Sequence, residues 1–111
     1  MNRVGFTLKV KPELVEAYKA HHRLVWPEMQ AALRDAGWHN YSLFIRPDGL
    51  LFGYFETPES LAAAQAKIAR TAVNARWQAL MAPFFEPPEG AEPGEMPDEL
   101  MVELEPIFYL P

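Results

Sequence analysis

A chain of 111 residues has the length of one domain, and an apolar half with 13% aromatics excludes a disordered polypeptide. It holds no cysteine, which excludes disulfide frameworks, thiolate nucleophiles and cysteine metal sites and suits a cytoplasmic protein. The formal net charge of −5 is local: residues 86–99, EPPEGAEPGEMPDE, carry six acidic and no basic residues, so the remainder stands at +1. No basic patch then suits a nucleic acid.

The opening MNRVGFTLKVKPEL has no unbroken apolar run, because Lys9 and Lys11 interrupt it. No stretch approaches the roughly 18 apolar residues of a membrane span, so neither secretion nor a membrane is expected. Residues 3–10 alternate, with Val4, Phe6, Leu8 and Val10 on one side, which predicts a half-buried strand. Lys11-Pro12-Glu13 then opens a helix that the apolar pattern carries to about Ala36, where Gly37 is a natural stop.

WHNYSLFIR and LLFGYFE read as two strands joined through Arg46-Pro47-Asp48-Gly49, a hairpin turn. Thr57-Pro58-Glu59 begins a second helix over ESLAAAQAKIA, and a third runs from about Thr71 to Met81 with Val73, Trp77, Leu80 and Met81 on one stripe. The Pro-, Gly- and Glu-rich residues 86–99 read as a solvated loop, and residues 101–111, MVELEPIFYLP, as a final strand that Pro106 places at an edge or a bulge.

The order β-α-β-β-α-α-β within a single domain, 1–111, is that of an α+β, ferredoxin-like chain of the dimeric α/β-barrel type: an antiparallel sheet with helices packed on one face. Leu43, Phe44, Ile45, Phe52, Tyr54 and Phe55 cannot all point toward those helices. A sheet with apolar groups on both faces must cover the second, which predicts a homodimer or a bound ligand.

The segment YKAHHRLVWPE, residues 18–28, sets two adjacent histidines in a helical pattern beside a proline that should bend it. On a helical wheel Tyr18, His22 and Trp26 climb one side while His21 falls near the centre of the apolar stripe, so either histidine can point inward. The two diverge by about 100° around the helix, and with His39 the only other histidine, no ligand set for a metal emerges.

Tyr18, His22, Trp26-Pro27-Glu28, His39-Asn40-Tyr41, Arg76-Trp77 and the closing FYLP together resemble the L-rhamnose mutarotases, over nearly the whole chain from Arg3 to Pro111. The resemblance implies a small cytoplasmic homodimer, free of cofactor and metal, that interconverts the α and β anomers of L-rhamnose. It implies that His22 rather than His21 is the proton donor, and that Tyr18 and Tyr41 contact the sugar. It also implies a pair of tryptophans on the pocket wall, of which only Trp77 matches; Gln78 stands at the second position, an amide able to bind a hydroxyl.

The chemistry fits these groups. Mutarotation needs one proton delivered to the ring oxygen and one removed from the anomeric hydroxyl, and an imidazole titrating near neutrality can do both. Aromatic walls suit the methyl side of a 6-deoxy sugar. The competing readings are the same reaction on a relative such as L-fucose, a ferredoxin-like dimeric monooxygenase acting on a quinol or haem, and a binding module that uses the open sheet face.

Overall fold

The computed structural model describes residues 1–88, 90 and 96–111. Strand β1 (Asn2–Lys9) buries Val4, Phe6 and Leu8 on one face, as the alternation demands. The chain then makes a 3₁₀ turn at Pro12–Leu14, helices α1 (Val15–His22) and α2 (Pro27–Asp35), and the hairpin β2 (His39–Ile45) and β3 (Leu50–Thr57). Helices α3 (Leu61–Ala69) and α4 (Ala72–Met81) follow, and β4 (Val102–Leu104) ends the fold. The strands form one antiparallel sheet in the order β2-β3-β1-β4, the ferredoxin-like α+β arrangement.

One face of this sheet is covered and one is open. Phe6, Leu51 and Phe55 are sealed beneath the helices with Ile68, Trp38 and Met81. Each such side chain contributes about 1.5–3 kcal/mol by leaving water. Leu43 and Ile45 turn toward this core, whereas Phe44 and Phe52 stay exposed on the other face with their rings 6.2 Å apart.

The helical region departs from the pattern of one bent helix running from Pro12 to Ala36. It breaks outright between His22 and Pro27, and Pro27 becomes the first residue of a new helix. A proline cannot bond back to the carbonyl of Arg23, and it drives the residue before it out of the helical region. Trp26 accordingly takes φ −54°, ψ 135° and serves as the N-cap of α2. Gly37, at φ 90°, ends α2 in the left-handed conformation that only glycine adopts freely.

Other boundaries shift for local reasons. Thr57 still pairs with Asn2 in the sheet, so α3 starts later, where Ser60 Oγ accepts the Ala63 N–H at 3.1 Å. On α4 the buried residues are Asn74, Trp77 and Met81, while Leu80 is exposed. The stripe assigned from apolar residues alone was therefore out of phase at Leu80.

Within the acidic segment 86–99, residues 89 and 91–95 lie outside the described residues. Its end is not a solvated loop: Pro97–Glu99 form a 3₁₀ turn with Pro97 and Asp98 buried. The last strand is shorter than the alternation of residues 101–111 implies. Only Val102–Leu104 pair with β1, at the sheet edge. Residues 105–111 form no strand within this chain, and Ile107, Phe108 and Leu110 are exposed. Among the described residues no helix is long and apolar enough to cross a membrane.

Candidate active site

The break at Pro27 shapes the site. With α1 ending at His22, residues 23–26 turn away from its axis and bring the Trp26 ring edge-to-face against Trp77 of α4, centroids 5.0 Å apart. His22 stands edge-on to the same indole at 5.5 Å and lies over the ring of Tyr18 at 4.2 Å. Two aromatic rings, Tyr18 of α1 and Trp77 of α4, thus hold the imidazole, and Trp26 from the break backs Trp77.

His22 Nδ1 lies 2.9 Å from the backbone carbonyl of Tyr18. A carbonyl only accepts, so Nδ1 carries the hydrogen, and in the neutral ring Nε2 keeps its lone pair. Burial pulls the His22 pKa below its ordinary value; the bond to the Tyr18 carbonyl pulls the other way, and His21 adds to the lowering. The imidazole is therefore neutral at pH 7, with a tautomer that presents a base at Nε2.

A cavity of about 1070 Å³ opens beside this group, slightly above the usual size for a small-molecule site. His22, Tyr41, Trp77 and Gln78 all line it. His21 does not; it packs edge-on to Phe84, centroids 5.4 Å apart. Nor does Tyr18 line the wall, since it lies behind the imidazole and is buried. Burial drives the Tyr18 hydroxyl far above its usual pKa, with a smaller push from Tyr41, so it stays protonated and keeps its hydrogen.

Tyr41 reaches the cavity from β2 with its ring against Trp38 at 5.1 Å and Phe55 at 6.0 Å, and burial raises its hydroxyl too. The strand turns just before it: Asn40 has φ 49°, and the pairing of β2 with β3 slips between His39 and Ser42. The bulge re-aims the strand where it meets the cavity, at a conformational cost of about 1–3 kcal/mol for a non-glycine residue.

Gln78 lines the cavity with both ends of its amide engaged. Its Nε2 donates to Asn74 Oδ1 at 3.2 Å, and its Oε1 accepts the Asp98 N–H at 3.0 Å. Asn74 and Asp98 also line the cavity, and neither was singled out by sequence reasoning. For Asn74 a signal existed: positions 74, 77, 78 and 81 share one helical face. For Asp98 there was none, since a carboxylate in an acidic run reads as solvated. Among the described residues no group of three His, Asp or Glu side chains is placed to hold a metal ion.

Fold and site together define a small α+β domain with a titratable imidazole beside an aromatic-walled cavity. A family model described as L-rhamnose mutarotase matches residues 3–110, and the chain belongs to that family of carbohydrate isomerases. The L-rhamnose mutarotase of Pectobacterium carotovorum is 37% identical over 111 residues, 99% of each chain. That of Escherichia coli is 35% identical over 112 residues, spanning both chains in full. The crystal structure of an L-rhamnose mutarotase from Formosa agariphila, 27% identical, superposes with a TM-score of 0.74 over the whole of both chains.

Proposed function

We propose that the protein interconverts the α and β anomers of L-rhamnose, with His22 as the group that moves the proton. The observation that carries this reading is the bond from Nδ1 to the Tyr18 carbonyl, which leaves Nε2 as the reactive nitrogen of a ring that lines the cavity. Nε2 takes the proton of the anomeric hydroxyl as the C1–O5 bond breaks, and returns a proton to the ring oxygen. Rotation about C1–C2 presents the other face of the aldehyde, and the same steps in reverse close the ring. Nothing is consumed, and the imidazole ends as it began.

The surrounding groups have separable roles. Trp77 offers an apolar wall to the methyl side of the sugar and fixes the imidazole edge-on. Tyr41 contacts the sugar from the sheet side, and Tyr18, behind the imidazole, orients His22 through its ring and its backbone carbonyl. Gln78 completes the polar wall. The exposed Phe44 and Phe52 face and the unpaired residues 105–111 favour a homodimer, which would cover both. A chain without cysteine suits a reducing compartment, and we read the protein as cytoplasmic.

The test is anomer exchange measured by saturation-transfer NMR on L-rhamnose, L-fucose and L-mannose. Exchange of L-rhamnose above the buffer rate, lost in His22→Ala by about 10²–10⁴-fold, is the expected result. Exchange no faster than buffer across the panel rejects the activity. Faster exchange of L-fucose than of L-rhamnose reassigns the substrate.

A further inference from the structure

One buried titratable group beside the cavity has no part in the proton transfer described above. Asp98, 9% exposed, belongs to the turn Pro97–Glu99, yet it is tied to α4. Asn74 Nδ2 donates to its Oδ2 at 3.4 Å, Gln78 Nε2 donates to Asn74 Oδ1, and the Asp98 N–H donates to Gln78 Oε1. Gln65 of α3 clamps the turn from the other side by donating to the Asp98 carbonyl. Three side chains from two helices therefore hold one short turn against the cavity wall.

The carboxylate at the centre of this arrangement has no cation. Among the described residues no ion pair includes Asp98. Removing a carboxylate from water without a cationic partner costs several kcal/mol, and an amide bond from Asn74 offsets only part of that. Burial accordingly pushes its pKa up, with Asn74 and the turn's own N–H groups pulling against it. A carboxylate has about four acceptor sites; Asn74 and the turn's own N–H groups take up to three of them, which leaves one for a ligand. Asn74, Asp98 and Trp77 line the same cavity, and Trp77 lies on the same α4 face as Asn74, one turn further on.

We propose that Asp98 is the specificity-determining acceptor of this cavity, binding a hydroxyl group of the sugar, and that Gln78 and Asn74 are positioning residues that hold it there. The proposal deepens the sugar reading and rests on it. The chemical class it selects is a monosaccharide that carries a hydroxyl on the side away from its apolar methyl edge. Gln78 acts here through Asp98, with one N–H of its amide on Asn74 and one lone pair of its Oε1 on the turn.

The test is anomer exchange as a function of sugar concentration for the wild type, Asp98→Asn, Asp98→Ala and Gln78→Leu. The sugars are L-rhamnose and its 2-, 3- and 4-deoxy analogues, each of which retains the anomeric hydroxyl. In the wild type at least one analogue should show a KM raised about 10- to 100-fold, the range for a lost hydrogen bond to a charged acceptor. Asp98→Ala should raise the KM of L-rhamnose by the same factor, leave kcat within about threefold, and no longer distinguish that analogue from L-rhamnose. Gln78→Leu should lose the same discrimination, and the double variant should lose nothing further.

A KM for L-rhamnose unchanged in both Asp98 variants overturns the proposal, as does an equal penalty for every analogue in wild type and variants alike. Should Asp98→Ala not fold, Asp98→Asn keeps the turn and reads the same discrimination. Wild-type activity on L-rhamnose decides the sugar reading separately; a protein inactive on every sugar overturns both.

Discussion

The imidazole of His22 lies on the phenol ring of Tyr18, centroids 4.2 Å apart and planes 28° from parallel, while its Nδ1 reaches the carbonyl of that same residue. One residue thus fixes the ring's plane through its side chain and the ring's tautomer through its backbone. The spacing of four that joins them is the neighbour spacing of an α-helix, and His22 is the last residue of α1. A helix ending there releases the chain before it could carry Trp26 past the cavity.

The lowered pKa of His22 sets the pH dependence. A base at Nε2 must be neutral, so the exchange rate should hold steady at neutral pH. It should fall only at a pH below the ordinary imidazole value of about 6.5. The same shift affects stability: between the depressed folded value and about 6.5 the unfolded chain binds more protons than the folded one, so stability drops as pH falls through that window. Exchange rates and thermal unfolding from pH 5 to 8 check both. An acid limb centred above 6.5 contradicts the burial argument.

Tyr18 combines a packing role with a hydroxyl, and two substitutions separate them. Tyr18→Phe keeps the stacked ring and the backbone carbonyl, so His22 stays oriented, and only a hydroxyl buried behind the imidazole goes. A kcat/KM within about twofold of wild type is expected, with little change in stability. Tyr18→Leu removes the aromatic platform from a buried position and should cost stability as well as rate. Equal losses in the two variants would mean that the hydroxyl, not the stack, is what Tyr18 contributes.

The first three strands, the hairpin and the glycine at position 37 were legible because each rests on local rules: period two, turn chemistry, a left-handed stop. The break at Pro27 was legible as a disturbance but not as the end of a helix. Whether a proline bends a helix or begins another depends on what the second helix packs against, here α4, and that is tertiary information. The inward choice of His22 over His21 needed the same information, since the wheel allowed both. Asp98 was illegible for a related reason. Its partners Asn74 and Gln78 lie at least twenty residues away, and composition alone places it in an acidic, solvated run.

Phe44 and Phe52 make the open sheet face a measurable feature. They are 61% and 38% exposed, adjacent across β2 and β3, and part of no core among the described residues. Phe44→Glu should put a charge on the face without disturbing the fold, because the side chain already meets water. A homodimer in wild type that shifts toward monomer in Phe44→Glu, read by light scattering, is the expected result. An unchanged mass for the variant moves the interface elsewhere, with the exposed residues 107–110 the next place to probe.

Gly53 faces Phe6 across the sheet, and the aromatic ring occupies the space a side chain would need: a Cβ at position 53 would meet the ring at 2.2 Å. Phe6 is fully buried and has no room to retreat, because it also packs against Phe55 and Tyr41 at 6.3 Å each. Gly53→Ala should therefore destabilise by about 1–3 kcal/mol through overpacking, a Tm lower by roughly 4 °C or more. Tyr41 lines the cavity on the far side of that ring, so a displaced Phe6 should raise the KM of the sugar as well. Shrinking the partner decides the cause. Adding Phe6→Leu to Gly53→Ala should recover part of the loss relative to the sum of the single changes, a coupling that two non-contacting sites would not show. Strict additivity of the two losses would place the damage in the backbone of β3 and not in the ring above it.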